Sequence, residues 1–138
     1  MHEIDAIETW AKYPITLQAF IPGENVRTYI VGDFMISALI QEEGDNSNSK
    51  ETADSSVSDY RSAAHVRLIP MQIPINIQQL AVRIMRAFHM QFTAIDWRLT
   101  PEGKFVFLEA NPAPLFVNAQ TQLGVDIDQA IVKLLLAD

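Results

Sequence analysis

The segments Ile95-Asp96-Trp97 and Phe107-Leu108-Glu109-Ala110-Asn111 are the stretch of sequence that decides the fold. Between them, Thr100-Pro101-Glu102-Gly103 is typical of a type I turn, in which Pro is favoured at the second position and Gly at the fourth. Both segments are rich in residues that favour extended strands. The pattern therefore predicts a β-hairpin.

The pairing across this hairpin decides which side chains share a face. If Leu99 pairs with Lys104, Asp96 lies opposite Phe107. Because successive side chains of a strand point to opposite faces, residues 109 and 111 then point the same way as Asp96. A single bulge would change this relation. The simple register puts three oxygen-bearing side chains on one face: Asp96, Glu109 and Asn111.

Two carboxylates and an amide on one face form a candidate site for a hard cation. Oxygen ligands of this kind suit Mg²⁺, which is often held by a few carboxylates together with substrate phosphates. Without a cation the two carboxylates repel each other, so replacing either should not lower the stability of the metal-free chain. The alternative interpretation is an edge hairpin whose acidic side chains are solvated.

The composition predicts a single domain over residues 1–138 and disfavours several classes of protein. The chain is 49% hydrophobic and has no cysteine, which indicates one apolar core without disulfides or thiolate metal sites. No apolar run is long enough to span a membrane and no secretory signal is visible, so we expect a cytoplasmic protein without a membrane partner. A net charge of −7 disfavours nucleic-acid binding, because phosphate contacts need clustered Lys and Arg.

The order of predicted elements is that of an α+β protein, an antiparallel sheet with packed helices. Strands are predicted over 15–21, 26–31 and 34–40, and helices over 4–12, over 76–89 and after Asp126, with an irregular segment at 112–123. The apolar stripes of the last two helices are Ile77, Leu80, Ala81, Ile84 and Phe88, then Ile127, Ile131, Leu134 and Leu135. Residues 42–58 are too polar to pack and are interpreted as a mobile loop, either a surface insertion or an active-site lid.

Four motifs occur in an order that resembles the C-terminal part of the ATP-grasp ligases. They are Gln18-Ala19-Phe20-Ile21, Asn25-Val26-Arg27 with Val31-Gly32-Asp33, Asp59-Tyr60-Arg61-Ser62, and Ile95-Asp96 with Phe107-Leu108-Glu109-Ala110-Asn111-Pro112. In turn they are similar to that family's hinge strand, its Asp-x-Arg strand, an Asp-aromatic-Arg-Ser segment, and its metal-binding Asp and Glu-x-Asn. The resemblance is to the ribosomal-protein glutamate ligases, the microviridin-type peptide ligases and the glutathione synthetase-like members.

The resemblance implies a carboxylate–amine ligase that uses ATP and Mg²⁺ and acts through an acyl phosphate. Its partners would be a nucleotide and a carboxylate-bearing small molecule or peptide. Three groups of residues acquire roles by this resemblance: Asp96, Glu109 and Asn111 as metal ligands, Arg61 and Arg27 as catalytic residues at the transferring phosphoryl group, and Gln18, Phe20 and Leu108 at the adenine. For Arg27 the alternative is a surface ion pair with Glu24 or Asp33.

Two hypotheses about the whole chain remain open. ATP-grasp ligases bring phosphate-binding lysines from a small lid that precedes the hinge strand, whereas Lys12 is the sole lysine before Gln18. The first hypothesis is therefore the C-terminal part of a ligase, inactive by itself, with its N-terminal half missing. The second is a non-catalytic binding or dimerisation module, whose homodimer would bury exposed apolar side chains: Ile15, Leu17, Phe20 or Ile21.

Overall fold

The structure, a computed structural model, describes residues 18–42 and 66–137. In these residues one sheet has five strands: β1 (Glu24–Val31), β2 (Phe34–Glu42), β3 (Val66–Met71), β4 (Phe92–Leu99) and β5 (Phe105–Asn111). Three helices accompany it: α1 (Ile75–Ala87), α2 (Val117–Leu123) and α3 (Ile127–Leu136). None of these helices is long and apolar enough to cross a membrane. Neighbouring strands are antiparallel in the order β3-β2-β1-β4-β5, which confirms the predicted α+β class.

One face of the sheet, here called the α1 face, is closed by α1. On this face Val26, Ile95 and Trp97 of the central strands are buried together with Ala81 and Met85 of the helix. Fully burying an apolar side chain of this kind contributes roughly 1.5–3 kcal/mol to stability. Packing against α1 therefore fixes which residues of β1 and β4 point inward.

The opposite face, here called the α2 face, is covered over only part of its length by the described helices α2 and α3. Tyr29 and Ala94 lie opposite each other there and form a second core with Ala119 of α2 and Ile127 of α3. Because side chains alternate along a strand, residues 27 and 96, which form a pair two positions further along the two strands, point to this face as well. The α2 face thus carries both a packed core and polar side chains.

Several predicted elements are confirmed to within two residues at each end, namely the strands over 26–31 and 34–40 and the helix over 76–89. The final helix follows Asp126 as predicted. The helix predicted over 4–12, the strand residues 15–17 and the loop residues 43–58 lie outside the described residues. Residue 42, the first of the predicted loop, is the last residue of β2.

Four details of the predicted elements and their apolar stripes are wrong. Residues 18–21 form no strand, and the segment 112–123, predicted to be irregular, contains α2. Phe88 is 65% exposed, because α1 ends at Ala87 and the chain turns at His89, whose φ is 53°. Leu135 is 77% exposed, since it lies at the margin of the apolar stripe in the last turn of α3.

Gly23 occupies a position that no other residue fits. Its φ is 134°, and a Cβ atom there would overlap the carbonyl oxygen of Leu99, where the pairing of β1 with β4 begins. We expect Gly23→Ala to lower the free energy of unfolding by about 2 kcal/mol or more, through strain and displacement of that strand end. Gly103→Ala is the matched control, because its φ of 78° is also positive but the space around it is open. Its expected loss is about 1 kcal/mol, and equal losses in urea unfolding would contradict the prediction.

Candidate functional site

The hairpin of β4 and β5 pairs one residue away from the predicted register. Leu99 lies opposite Phe105, not Lys104. The turn causes the difference, because Gly103 adopts the left-handed conformation, with φ 78°, that closes a three-residue loop. Continued without interruption, this register would place the two acidic side chains on opposite faces of the sheet.

A β-bulge puts the acidic side chains back on one face. Next to Asp96 the register shifts by one, and Leu108 becomes the extra residue of β5. Asp96 consequently lies opposite Glu109, and Ala94 lies opposite Asn111. Since directly opposite residues share a face, the three oxygen-bearing side chains all lie on the α2 face. The turn and the bulge each change the pairing by one residue. Together they restore the arrangement of side chains that the simple register predicted.

Arg27 brings a positive charge to these acids. It lies opposite Asp96 on β1 and donates two hydrogen bonds to the carboxylate, from Nε to Oδ1 at 2.7 Å and from Nη2 to Oδ2 at 2.8 Å. The two side chains are 13% and 7% exposed, so this ion pair is largely withdrawn from water. Glu24 and Asp33 are its nearest acids in sequence, yet the sheet joins Arg27 to an acid 69 residues away.

Asn111 is held in one orientation by the loop that follows it. Its Oδ1 accepts the backbone N–H of Ala113 at 2.9 Å, which identifies the oxygen. A carbonyl oxygen has two lone pairs and a carboxylate has about four acceptor positions. Asn111 and Asp96 can therefore bind a cation while they keep their hydrogen bonds.

The donor set fits Mg²⁺ through two carboxylates and an amide. Across residues 18–42 and 66–137, no group of three or more His, Cys, Asp or Glu is placed to hold a metal. The third ligand would be the amide oxygen of Asn111. A cation at Asp96, Glu109 and Asn111 would have these three protein ligands, and phosphate oxygens and water would complete its shell. This is how Mg²⁺ is commonly bound, since it retains several waters and takes one or two carboxylates.

A cavity of about 340 Å³ lies on the α2 face beside these residues. Its polar lining is Arg27, Glu109, Asn111 and Asn118, and its remaining lining is mostly apolar: Tyr29, Ile40, Val66, Leu68, Ala113, Leu115 and Ala119. The Tyr29 hydroxyl donates to the carbonyl oxygen of Leu115 at 3.2 Å and so fastens the loop between β5 and α2. The volume is in the range of small-molecule sites.

The residues predicted at the adenine do not line this cavity. Gln18 and Phe20 are exposed and Leu108 is half-buried at the bulge. Arg98 attaches the segment of Phe20 to the sheet, because its Nε donates to the carbonyl oxygen of Ile21 at 2.8 Å and its guanidinium carbon lies 6.0 Å from the centre of the Phe20 ring. Sequence reasoning missed Arg98, although its place two residues after Asp96 puts it on the same face.

Arg61, the second predicted catalytic arginine, lies outside the described residues, so its role stays a prediction. Sequence reasoning also missed Asn118 and Gln122, because the segment that holds them was predicted to be irregular. Their spacing of four residues was an available signal, since side chains four apart meet on a helix.

No protein-family model matches the chain, and no curated protein sequence is significantly similar to it. Several solved structures are similar to it in fold. The ATP-grasp ligase PsnB, complexed with its minimal precursor, superposes with a TM-score of 0.72 and 20% identity over 96% of this chain and 42% of PsnB. Another PsnB structure holds a phosphomimetic variant of that precursor with Mg and ADP.

Two further structures come from named bacteria. The macrocyclase MdnC of Microcystis aeruginosa MRC, bound to precursor peptide MdnA, has a TM-score of 0.60 and 28% identity over 85% of this chain and 34% of MdnC. A RiPP-associated ATP-grasp ligase of Chryseobacterium gregarium, in complex with ADP and a leader and core peptide, has a TM-score of 0.62 and 23% identity over 81% of this chain and 32% of that protein. This chain spans less than half the length of each of these proteins.

The ion pair with Arg27 reverses, for Asp96 alone, the expectation that either acid can be replaced without loss of stability. Asp96→Asn would replace the carboxylate that accepts two hydrogen bonds from the largely buried guanidinium by a neutral amide, and we expect it to lower the free energy of unfolding by about 2 kcal/mol. Glu109→Gln should change it by less than about 0.5 kcal/mol, because Glu109 is exposed. Urea unfolding in the absence of divalent cations would measure both. Equal stability of the Asp96→Asn variant and the parent would contradict the structural role of the pair.

Proposed function

We propose that this chain, which has the fold of the C-terminal part of the ATP-grasp ligases, supplies the metal- and phosphate-binding residues of an ATP-dependent carboxylate–amine ligase. The observation that carries the proposal is the bulge next to Asp96. It places two carboxylates and an amide on the α2 face, and the guanidinium of Arg27 lies against the first of them. These are the charges that a triphosphate and its cation require.

Asp96, Glu109 and Asn111 would hold Mg²⁺. When bound, the cation would neutralise charge on the phosphate oxygens of ATP. Asp96 has acceptor positions for both the cation and Arg27, and the hydrogen bond from Ala113 keeps the Asn111 oxygen in place. Asp96 and Asn111 are therefore oriented before a nucleotide binds, which lowers the cost of assembling the site.

In the proposed reaction a carboxylate oxygen of the acid substrate attacks the γ-phosphorus of ATP, and ADP leaves. The amine then attacks the carbonyl carbon of the acyl phosphate and loses a proton as inorganic phosphate departs. Arg27 would stabilise the negative charge that develops on the phosphoryl oxygens, since a planar guanidinium held in place is a strong donor to such oxygens. Arg61 would share this role by its position in the sequence motif.

The nucleotide base would lie on the side of the sheet where residues 18–21 approach Arg98. Gln18, Phe20 and Leu108 remain the candidates for contacts with adenine on the strength of the motif order. The exposure of Phe20, at 77%, leaves its ring accessible to a ligand. Because the reaction consumes ATP, the proposal places it in the cytoplasm, where ATP is abundant.

The acid or the amine component is proposed to be a peptide. MdnC, at 28% identity, is bound to a precursor peptide, and PsnB and the Chryseobacterium gregarium enzyme are also complexed with precursor or leader and core peptides. The cavity on the α2 face opens beside the acids and Arg27 and would admit a side chain of such a peptide. These relatives thus support the substrate class by analogy.

Binding of Mg-ADP is expected to require both carboxylates, because Mg²⁺ demands near-octahedral oxygen ligation. Calorimetry should show that Asp96→Asn and Glu109→Gln each weaken binding about tenfold or more. Asp126→Asn, an exposed acid at the start of α3, is the matched control and should bind like the parent. Since Glu109→Gln is expected to keep its stability, undiminished binding in that variant would remove the metal assignment.

The alternative is a module that binds a partner or a second copy without catalysis, and the exposed apolar side chains of α3, Leu135 and Leu136, favour it. Phosphate release from ATP in the presence of amino acids and acidic peptides separates the two. Two lysine contacts from a lid would be worth on the order of a hundredfold in nucleotide affinity. We therefore expect the 138 residues to release no phosphate alone and to release it when combined with an upstream ATP-grasp segment. Absence of turnover in both cases, together with self-association, would favour the module.

A further inference from the structure

Gln122 of α2 bonds to the edge of the sheet that the described strands form. β3 is an edge strand, and its backbone bonds to the side-chain amide of Gln122: Leu68 N–H donates to Oε1 at 2.8 Å, and Nε2 donates to the carbonyl oxygen of Val66 at 2.9 Å. A backbone N–H can only donate and a backbone carbonyl can only accept. The oxygen and nitrogen of the Gln122 amide are therefore assigned without ambiguity.

The orientation of Gln122 determines the orientation of Asn118. The second hydrogen of Gln122 Nε2 points to Asn118, whose Oδ1 accepts it at 3.0 Å. Because its oxygen is directed at Gln122, the Nδ2 amide of Asn118 points away from Gln122 and is the donor that this residue can offer to a ligand. Asn118 lines the cavity on the α2 face, so this donor belongs to the candidate site.

The remaining lining of the cavity indicates the kind of molecule that it accepts. Ile40, Leu68 and Leu115 contribute apolar walls, and Arg27 and Asn111 lie among the polar lining where the transferring phosphoryl group is proposed to be. An apolar group fits such walls better than a charged one, because burial of a charge without a partner is costly. The cavity thus combines one oriented amide donor with an apolar surface.

We propose that Asn118 is a specificity-determining residue, which donates its side-chain amide to an acceptor oxygen of the acid substrate while the apolar body of that substrate packs against Ile40, Leu68 and Leu115. The inference rests on the proposed function, because it assigns the substrate of the same site. Gln122 acts as a positioning residue, since it sets the orientation of the Asn118 amide. The substrate class that follows is a carboxylic acid with an apolar body.

The test uses N-acetyl-L-leucine as the probe and the side-chain amide signals of the ¹⁵N-labelled chain as the readout. The Asn118 amide signals, assigned from their loss in Asn118→Asp, should shift during the titration. N-Acetyl-L-aspartate should bind about tenfold more weakly, because it places a charge on the apolar wall. Asn118→Asp should weaken binding of N-acetyl-L-leucine about tenfold, as its carboxylate repels the acceptor oxygen. Asn76→Asp, an exposed residue of α1, is the matched control and should leave binding unchanged.

The variant Gln122→Glu tests whether Gln122 orients the Asn118 amide or only supports the fold. Its carboxylate can still accept from Leu68 N–H but cannot donate to Asn118, so the Asn118 amide should turn over and offer its oxygen to the cavity. Affinity for N-acetyl-L-leucine should fall about as far as in Asn118→Asp, with only a small loss of stability in urea, because the lost bond to the Val66 carbonyl oxygen is exposed. Parent-like affinity in both variants, or no binding of the probe by the parent, would overturn the inference. Calorimetry with Mg-ADP tests the proposed function separately. The metal site and the role of Asn118 can therefore fail independently of each other.

Discussion

Trp97 is completely buried, and its burial dictates which way every residue of β4 points. The indole packs edge-on against Phe105 and Phe107, with ring centroids 6.5 and 6.0 Å away, and its Nε1 donates to the hydroxyl of Thr28 at 3.1 Å. Because neighbouring residues of a strand point to opposite faces, Asp96 must then point to the α2 face. The chemistry proposed for one side of the sheet thus depends on packing on the other.

The ion pair of Arg27 and Asp96 joins the two central strands at the point where the sheet leaves its apolar core. Pairs that are this well buried add little net stability, since the cost of removing two charges from water offsets most of their attraction. They are costly to break, however, because one charge is then left without a partner. The pair consequently keeps a carboxylate and a guanidinium aligned on the α2 face, where the proposed reaction needs both.

The short helix α2 links the edge of the sheet to the cavity. Gln122 bonds to the backbone of β3 and orients Asn118, and the Tyr29 hydroxyl fastens the loop that leads into the helix. Through these few polar contacts, a helix of seven residues is held where its side chains line the cavity. The apolar walls and the polar lining of the cavity are thereby assembled from β1, β2, β3 and β5, the loop after β5, and α2.

The sequence by itself determined the α+β class, the central strands, α1 and the order of motifs, because these depend on local periodicity and on residues that are near one another along the chain. It also placed Asp96, Glu109 and Asn111 on one face, although the register that led there was wrong. Only the tertiary structure decided the features that depend on distant partners: the bulge at Leu108, the ion pair that joins Arg27 to Asp96, and the helix that carries Asn118. The ion pair and the contacts of α2 with β3 join segments far apart in sequence, and no local pattern records which partner a side chain will meet there. The bulge lies within a hairpin, but the two-residue period of a strand does not record where an extra residue enters the pairing.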